Sequence, residues 1–155
     1  MNKATLDLIK HFESLHDGDL KKIGLQPKMD SVSIWTEGYG RAMIDPRTKQ
    51  FLKGIKNKAY AESLQTIRTE IEADIALNED LSKYATYAAN ALGINEWQQL
   101  NENQRGALTS FVYNCGVGKP PYRIFANIRK WLSNKMAMYQ LIEYWETSVI
   151  KGGGV

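Results

Sequence analysis

The segment from Leu20 to about Pro46 interrupts a chain that otherwise shows helical periodicity. It lacks apolar residues at helical spacing, and it combines turn formers with β-favouring side chains: Gly24, Pro27, Val32, Ile34, Trp35, Thr36, Gly38, Tyr39 and Gly40. Such a mixture favours a loop followed by short hairpin strands. The sequence therefore predicts a mainly helical α+β protein with one strand-rich insert.

Two helical segments flank this insert. The first begins near Thr5, carries its apolar face on Leu8, Ile9, Phe12 and Leu15, and is predicted to end at Asp17-Gly18-Asp19 with Gly18 as a left-handed C-cap. The second is predicted as one long helix from about Ala59 to Leu81, because Leu64, Ile67, Ile71 and Ile75 recur at helical spacing.

The remaining chain predicts further helices. Asn101 and Gln104 form a capping-box pattern that begins a helix expected to end at Gly116. Pro120-Pro121 breaks the chain before two more helical patterns, through 124–132 and 138–145, and the glycines at 152–154 predict a flexible tail.

Length and charge bound the possibilities. A chain of 155 residues fits one domain, and a formal charge of +3 leaves nucleic acid, anionic cell wall and plain solubility open. Cys115, the single cysteine, is best explained as a small buried apolar residue. The N-terminus lacks a signal-peptide stretch and no window is long enough to cross a bilayer, which predicts synthesis as a soluble cytoplasmic protein.

Glu13 is the first candidate for chemistry. At helical spacing it lies beside Ile9 on the edge of the apolar arc, so partial burial should raise its pKa. It also lies in the last helical turn, where the macrodipole opposes a further negative charge. Both effects favour the protonated acid, as a general acid requires. Taken by itself, however, Glu13 is better explained as a border residue of a solvated helix.

Asp30 and Thr36 are the second part of the candidate site. Asp30 lies in a polar loop whose donors should keep it ionised, and Thr36, six residues later, has a hydroxyl suited to holding a water. Asp17 and Asp19 look like turn formers, and Glu37 should point to the opposite strand face from Thr36. Two carboxyls in unlike environments can act as acid and base on a glycosidic bond.

These residues resemble a known family. The run from Leu8 to Leu15 around Glu13, then Asp30 and Thr36, then Gly38-Tyr39-Gly40, is similar to the phage-type muramidases, the endolysins of glycoside hydrolase family 24. The stretches 103–108 and 114–118 resemble the helical lobe of that family. The resemblance covers nearly the whole chain.

The resemblance implies a fold and a reaction. The fold would be two-lobed and lysozyme-like, a single domain over 1–155 with a hairpin lobe at about 14–58 and a helical lobe at about 59–155 plus the first helix. The substrate would be peptidoglycan, cut at the β-1,4 bond between N-acetylmuramic acid and N-acetylglucosamine with inversion and without a cofactor. Glu13 would be the general acid, Asp30 the general base and Thr36 the residue that holds the water. The protein would be a monomer. It would stay in the host cytoplasm until the membrane is permeabilised and would then reach the cell wall or periplasm.

The sequence departs from this family in four places. The loop Ser14–Met29 is enlarged and could displace Asp30, and Ser33 stands where Gly is usual. Arg41 replaces the usual His, which predicts loss of any buried histidine tie to a carboxylate. Members also continue into a short Arg-bearing helix, so a basic partner for Glu13 is expected to be missing.

Other functions remain open at this stage. A lytic transglycosylase would need Glu13 but no base, and a catalytically inactive wall-binding protein would keep only the cleft. A nucleic-acid-binding domain is disfavoured because the basic residues are spread among acids without a recognition motif. The segment 119–135 carries five basic residues and no acid. This pattern predicts contact with an anionic surface, either the wall or the outer membrane. The alternative is an ordinary helix that faces the core on one side and has a solvated basic side.

Overall fold

The computed structural model describes residues 2–138 and 140–142. Its helices are α1 (Lys3–Glu13), α2 (Lys58–Leu64), α3 (Glu70–Leu92), α4 (Ile94–Gln99), α5 (Glu102–Cys115) and α6 (Arg123–Leu132), with a 3₁₀ turn at Ile55–Asn57. Short strands lie between α1 and α2: β1 (Lys28–Met29), β2 (Trp35–Glu37), β3 (Arg41–Ala42), β4 (Ile44–Asp45) and β5 (Gln50–Phe51). The mainly helical α+β class and the position of the hairpin insert are confirmed.

The strands form two antiparallel sheets. In the first, β2 lies between β1 and β3, with Lys28 opposite Thr36 and Met29 opposite Trp35. In the second, β4 pairs with β5. Trp35 is buried with Met43, Leu52 and Ala61 in a small core beneath these strands. Its indole Nε1–H donates to the carbonyl oxygen of Gly54 at 2.7 Å, which satisfies the polar atom of a buried ring.

The described residues group into two compact units, one of residues 7–80 and the other of the remainder. The second unit has a larger core, made of residues on α3, α5 and α6, at the end of α4 and in the last described helical turn: Ala88, Leu92, Leu100, Leu108, Phe111, Val112, Ile124, Phe125, Ile128 and Leu141. Cys115, predicted to be buried, is partly buried and packs against this core. The grouping places most of α1 and all of α2 with the hairpins, whereas the predicted division lay near residue 58.

The first helix ends earlier than predicted. It stops at Glu13, where Ser14 adopts a left-handed φ of 54°, and Gly18 does not cap it. A glycine is needed at 18 for another reason: a Cβ there would lie 2.1 Å from the carbonyl oxygen of Pro27. The predicted apolar face is also wrong in part, since Leu8 and Phe12 are exposed whereas Thr5 and Ile9, one turn apart, are buried.

The predicted long helix 59–81 is two helices. The chain leaves helical geometry after Leu64 because Thr66 and its neighbours bond elsewhere: the Thr66 N–H and hydroxyl donate to the buried carboxylate of Glu37 at 3.1 and 2.5 Å. Helix α3 then begins after Thr69, whose hydroxyl oxygen accepts from the Glu72 N–H at 3.2 Å. Periodicity alone did not reveal this break.

The later predictions hold where the structure describes them. The capping box of Asn101 and Gln104 is formed in both directions, and α5 ends at Gly116 with φ of 72°. The break at Pro120-Pro121 and the helix α6 are confirmed. The predicted helix beyond Ile142 and the tail at 152–154 lie outside the described residues.

Candidate active site

Glu13 is the last residue of α1 and lies in the unit of residues 7–80. It is partly buried, and this burial raises the pKa of its carboxyl. Within the described part of the chain its carboxylate forms no ion pair. The predicted environment of a general acid, partial burial with a raised pKa, is therefore present at Glu13.

The raised pKa predicts a pH-dependent stability difference for Glu13→Gln. The folded protein holds the proton of Glu13 more tightly than the unfolded chain does. Ionisation of Glu13 therefore lowers the free energy of unfolding. This loss begins as the pH rises above the pKa of the unfolded chain, about 4.3, and is complete above the higher pKa of the folded protein. Glutamine does not ionise. We expect a higher Tm for the variant than for the wild type at pH 7 and equal Tm values near pH 4, measured by thermal unfolding; equal values at both pH values would contradict the burial of a charge.

Asp30 is fixed by the turn that joins β1 to β2. Its carboxylate Oδ1 accepts from the backbone N–H groups of Val32 at 2.9 Å and Ile34 at 2.8 Å. Ser33 occupies a left-handed position in this turn, with φ of 69°. A glycine reaches that conformation without cost, which gives the physical reason for the glycine usual at this position. The backbone donors predicted for Asp30 are present, and they bind one of its two oxygens.

The enlarged loop closes on itself before it reaches β1. The Gly18 N–H donates to the Gln26 carbonyl at 3.1 Å, and the side-chain amide of buried Gln26 donates to the Gly24 carbonyl at 2.5 Å. The Leu25 N–H donates to the Arg68 carbonyl at 2.9 Å, which ties the loop to the segment before α3. The loop therefore leaves Asp30 in register beside β2. Its placement opposite Glu13 across a cleft stays a prediction.

Thr36 lies buried in the central strand β2, and its hydroxyl is already engaged. Oγ1 donates to the Lys28 carbonyl oxygen at 2.9 Å and lies 2.5 Å from Nδ1 of His16. A hydroxyl has one hydrogen and two acceptor lone pairs, so one lone pair remains for a water. The water-holding role predicted for Thr36 is thus limited to accepting a hydrogen bond.

The neighbouring residues in this strand and hairpin have structural roles. Glu37 is buried and bonds Thr66, so its side chain has partners different from those of Thr36 on the alternate face, as predicted. Gly38 and Gly40 have φ of 62° and 97°, in keeping with their predicted role in shaping the hairpin.

Position 41 holds an arginine in place of the usual histidine, and this arginine binds a carboxylate of its own. The guanidinium of Arg41 forms a two-point pair with Asp80, Nε to Oδ2 at 3.0 Å and Nη2 to Oδ1 at 3.1 Å, and Nη2 also donates to the Ala76 carbonyl. Because a guanidinium presents parallel N–H donors, it can bind both oxygens of a carboxylate at once. This pair joins β3 to α3.

His16 is the residue that sequence reasoning missed. It lies in the loop after α1, where neither periodicity nor a turn motif marks it, and only its position three residues after Glu13 was visible. Burial lowers the pKa of its imidazole, and Lys28 acts in the same direction; a hydrogen bond to the backbone of Glu13 and the charge of Asp30 act oppositely. The imidazole therefore lies among the residues proposed for chemistry.

The described residues contain no group of three or more His, Cys, Asp and Glu side chains arranged to hold a metal ion. Within the same residues, no helix combines the length and the apolar character needed to cross a membrane.

The chain is mainly helical with a hairpin insert, has a partly buried acid at the end of its first helix, and has an Asp-turn-Thr unit. These features define the class of lysozyme-like proteins. The family model "Phage lysozyme" matches residues 19–153, and the chain belongs to this family. The match includes Asp30 and Thr36 and begins after Glu13 and His16. No curated protein and no solved structure shows a significant match. Membership implies glycosidase activity of the lysozyme type on peptidoglycan.

Proposed function

We propose that this protein is an endolysin that hydrolyses the β-1,4 bond between N-acetylmuramic acid and N-acetylglucosamine and thereby lyses the host cell. The proposal rests on one observation: two carboxyl groups in the same compact unit have different environments. Burial raises the pKa of Glu13, whereas two backbone N–H groups donate to the carboxylate of Asp30. Such a difference suits one carboxyl to donate a proton and the other to accept one.

The roles follow from these environments. Glu13 protonates the glycosidic oxygen as the bond to the anomeric carbon breaks. Asp30 takes a proton from the attacking water. Its Oδ1 is occupied by the turn, so Oδ2 is the oxygen that would accept this proton. Thr36 accepts a hydrogen bond from the same water through its remaining lone pair.

Product analysis tests the proposed bond. Purified peptidoglycan is digested, the new ends are reduced with borohydride, and the sugar alcohols are identified by mass spectrometry. Reduced N-acetylmuramic acid supports the proposal. Reduced N-acetylglucosamine would place the cut at the other glycosidic bond, 1,6-anhydro ends would indicate a transglycosylase, and binding without release of fragments would indicate an inactive wall-binding protein.

We further propose that the protein stays in the host cytoplasm until the membrane is permeabilised and then acts at the wall or in the periplasm. This follows from the substrate, which lies outside the inner membrane. Fractionation before and after permeabilisation tests it, and release of wall fragments before permeabilisation would contradict it.

The basic side of the segment 119–135 is proposed to contact the anionic wall or outer-membrane surface. The apolar residues Ile124, Phe125 and Ile128 are buried in the core, whereas the basic residues of the same helix are exposed. Arg129 has a structural role as well, because its guanidinium donates to the carbonyl oxygens of Ala91 and Leu92 at 3.2 and 3.0 Å, at the end of α3. The exposed Arg123 and Lys130 are therefore the suitable residues for a test.

We expect Arg123→Gln with Lys130→Gln to weaken wall binding at about 0.01 M salt, where the Debye length is about 30 Å, and to have little effect at about 1 M. Cosedimentation with purified walls measures this. The matched control is Lys53→Gln with Lys56→Gln, which removes the same charge from exposed positions in the other unit. If both pairs of substitutions weaken wall binding equally, net charge alone explains the effect. That result would contradict a specific basic surface.

A further inference from the structure

The imidazole of His16 is the side chain that touches the Thr36 hydroxyl. The contact from Nδ1 to Oγ1 is 2.5 Å. The backbone of His16 is fixed independently, since its N–H donates to the Gly38 carbonyl at 2.8 Å just after β2. His16 is thus anchored to the strand at one point and reaches the hydroxyl at another.

Counting hydrogens determines which atom donates in this contact. The Thr36 hydroxyl has one hydrogen, and it is directed to the Lys28 carbonyl at 2.9 Å. The hydrogen between His16 and Thr36 must then belong to Nδ1, an assignment made from the hydrogen-bond network. Two of the three hydrogen-bonding positions of Oγ1 are occupied, which fixes the direction of the third.

His16 and Lys28 together restrict the orientation of the Thr36 hydroxyl more than burial alone would. With only the Lys28 contact, the hydroxyl hydrogen is fixed but the two lone pairs are equivalent for a water. The Nδ1–H of His16 removes this choice. Nδ1–H is present in one of the two neutral tautomers and also in the imidazolium ion, so that neutral tautomer and the charged ring can both make the contact.

We propose that His16 is a positioning residue of this enzyme, which directs the one free lone pair of the Thr36 hydroxyl toward the attacking water. The inference rests on the proposed hydrolysis. His16 itself takes no proton from the substrate and forms no bond to it; it acts through Thr36.

Asparagine and glutamine distinguish this role from a merely structural one. The Asn side-chain amide reaches the place of Nδ1, whereas the amide of Gln reaches the place of Nε2. We expect His16→Asn to keep kcat within about threefold of the wild type and His16→Gln to lower kcat about tenfold or more without a matching change in KM, because misplacing a reacting group by about 1 Å is costly. His11, the other histidine, is exposed on α1, and His11→Gln serves as the matched control with unchanged kcat.

A double variant shows whether the effect passes through Thr36. Thr36→Val removes the hydroxyl, so adding His16→Gln should lower kcat no further. Soluble peptidoglycan fragments provide the substrate, and thermal unfolding verifies that each variant is folded. Equal kcat for the Asn and Gln variants, or additive losses in the double variant, would overturn the role of His16. A wild-type protein that releases no reducing ends would instead refute the proposed hydrolysis itself, so the two failures are distinguishable.

Discussion

Replacing Glu13 by Gln is expected to lower the rate of peptidoglycan cleavage by about 10²- to 10⁴-fold, the range that a positioned general acid contributes. The amide keeps the shape and polarity of the side chain but cannot donate a proton to the leaving oxygen. Because Glu13 forms no ion pair with the described residues, its replacement breaks no electrostatic contact there, and the protein should remain folded. The rate is measured as release of reducing ends from purified walls.

The control for this substitution is Glu102→Gln. Glu102 is exposed in the first turn of α5, in the unit that does not contain Glu13, and should keep wild-type activity. A Glu13→Gln protein that cleaves walls at a rate close to the wild type would remove Glu13 from the mechanism. The proposal that Glu13 acts as the acid and Asp30 as the base would then be wrong.

Asp30→Asn is expected to lower activity by a similar factor, about 10² or more, because an amide is a poor base. The substitution suits the turn: the Asn Oδ1 can accept the same two N–H groups from Val32 and Ile34, so β1 and β2 should keep their register. Activity should fall while the Tm stays close to that of the wild type. Loss of activity together with a large fall in Tm would show only that the turn needs a carboxylate.

The control here is Asp19→Asn, at an exposed turn where the Asp19 carboxylate accepts from the Lys21 N–H at 3.1 Å. An Asp30→Asn protein with full activity would show that Asp30 is a turn former as well. In that case the enlarged loop 14–29 holds Asp30 away from the reacting bond. A transglycosylase that needs only Glu13 would then explain the activity better than a hydrolase.

The sequence could predict those elements whose signals are local. The capping box at Asn101 and the left-handed glycine after Cys115 each act within one turn of helix, and both were found at the predicted residues. The hairpin insert was also predicted, because its strand-favouring residues and glycines are adjacent in the chain. Partial burial of Glu13 followed from its neighbours on the helix.

The sequence could not predict what depends on distant partners. The break at 65–69 depends on Glu37, which lies in β2 and binds Thr66 across a separation of 29 residues. The role of Arg41 depends on Asp80 in α3, and the engagement of the Thr36 hydroxyl depends on His16. A local signal existed in one case, the pairing of Thr69 with Glu72 at capping-box spacing, and it marks the start of α3.

Digestion of peptidoglycan in water enriched in oxygen-18 tests directly whether a water attacks the sugar as Glu13 donates its proton. We expect one oxygen-18 atom at each new reducing N-acetylmuramic acid end, measured by mass spectrometry. We also expect the inverted α-anomer as the first product, measured by NMR at early times. The Glu13→Gln protein should produce almost none of these ends. Ends that are 1,6-anhydro sugars without oxygen-18, or labelled ends formed equally by wild type and Glu13→Gln, would contradict hydrolysis with Glu13 as the general acid.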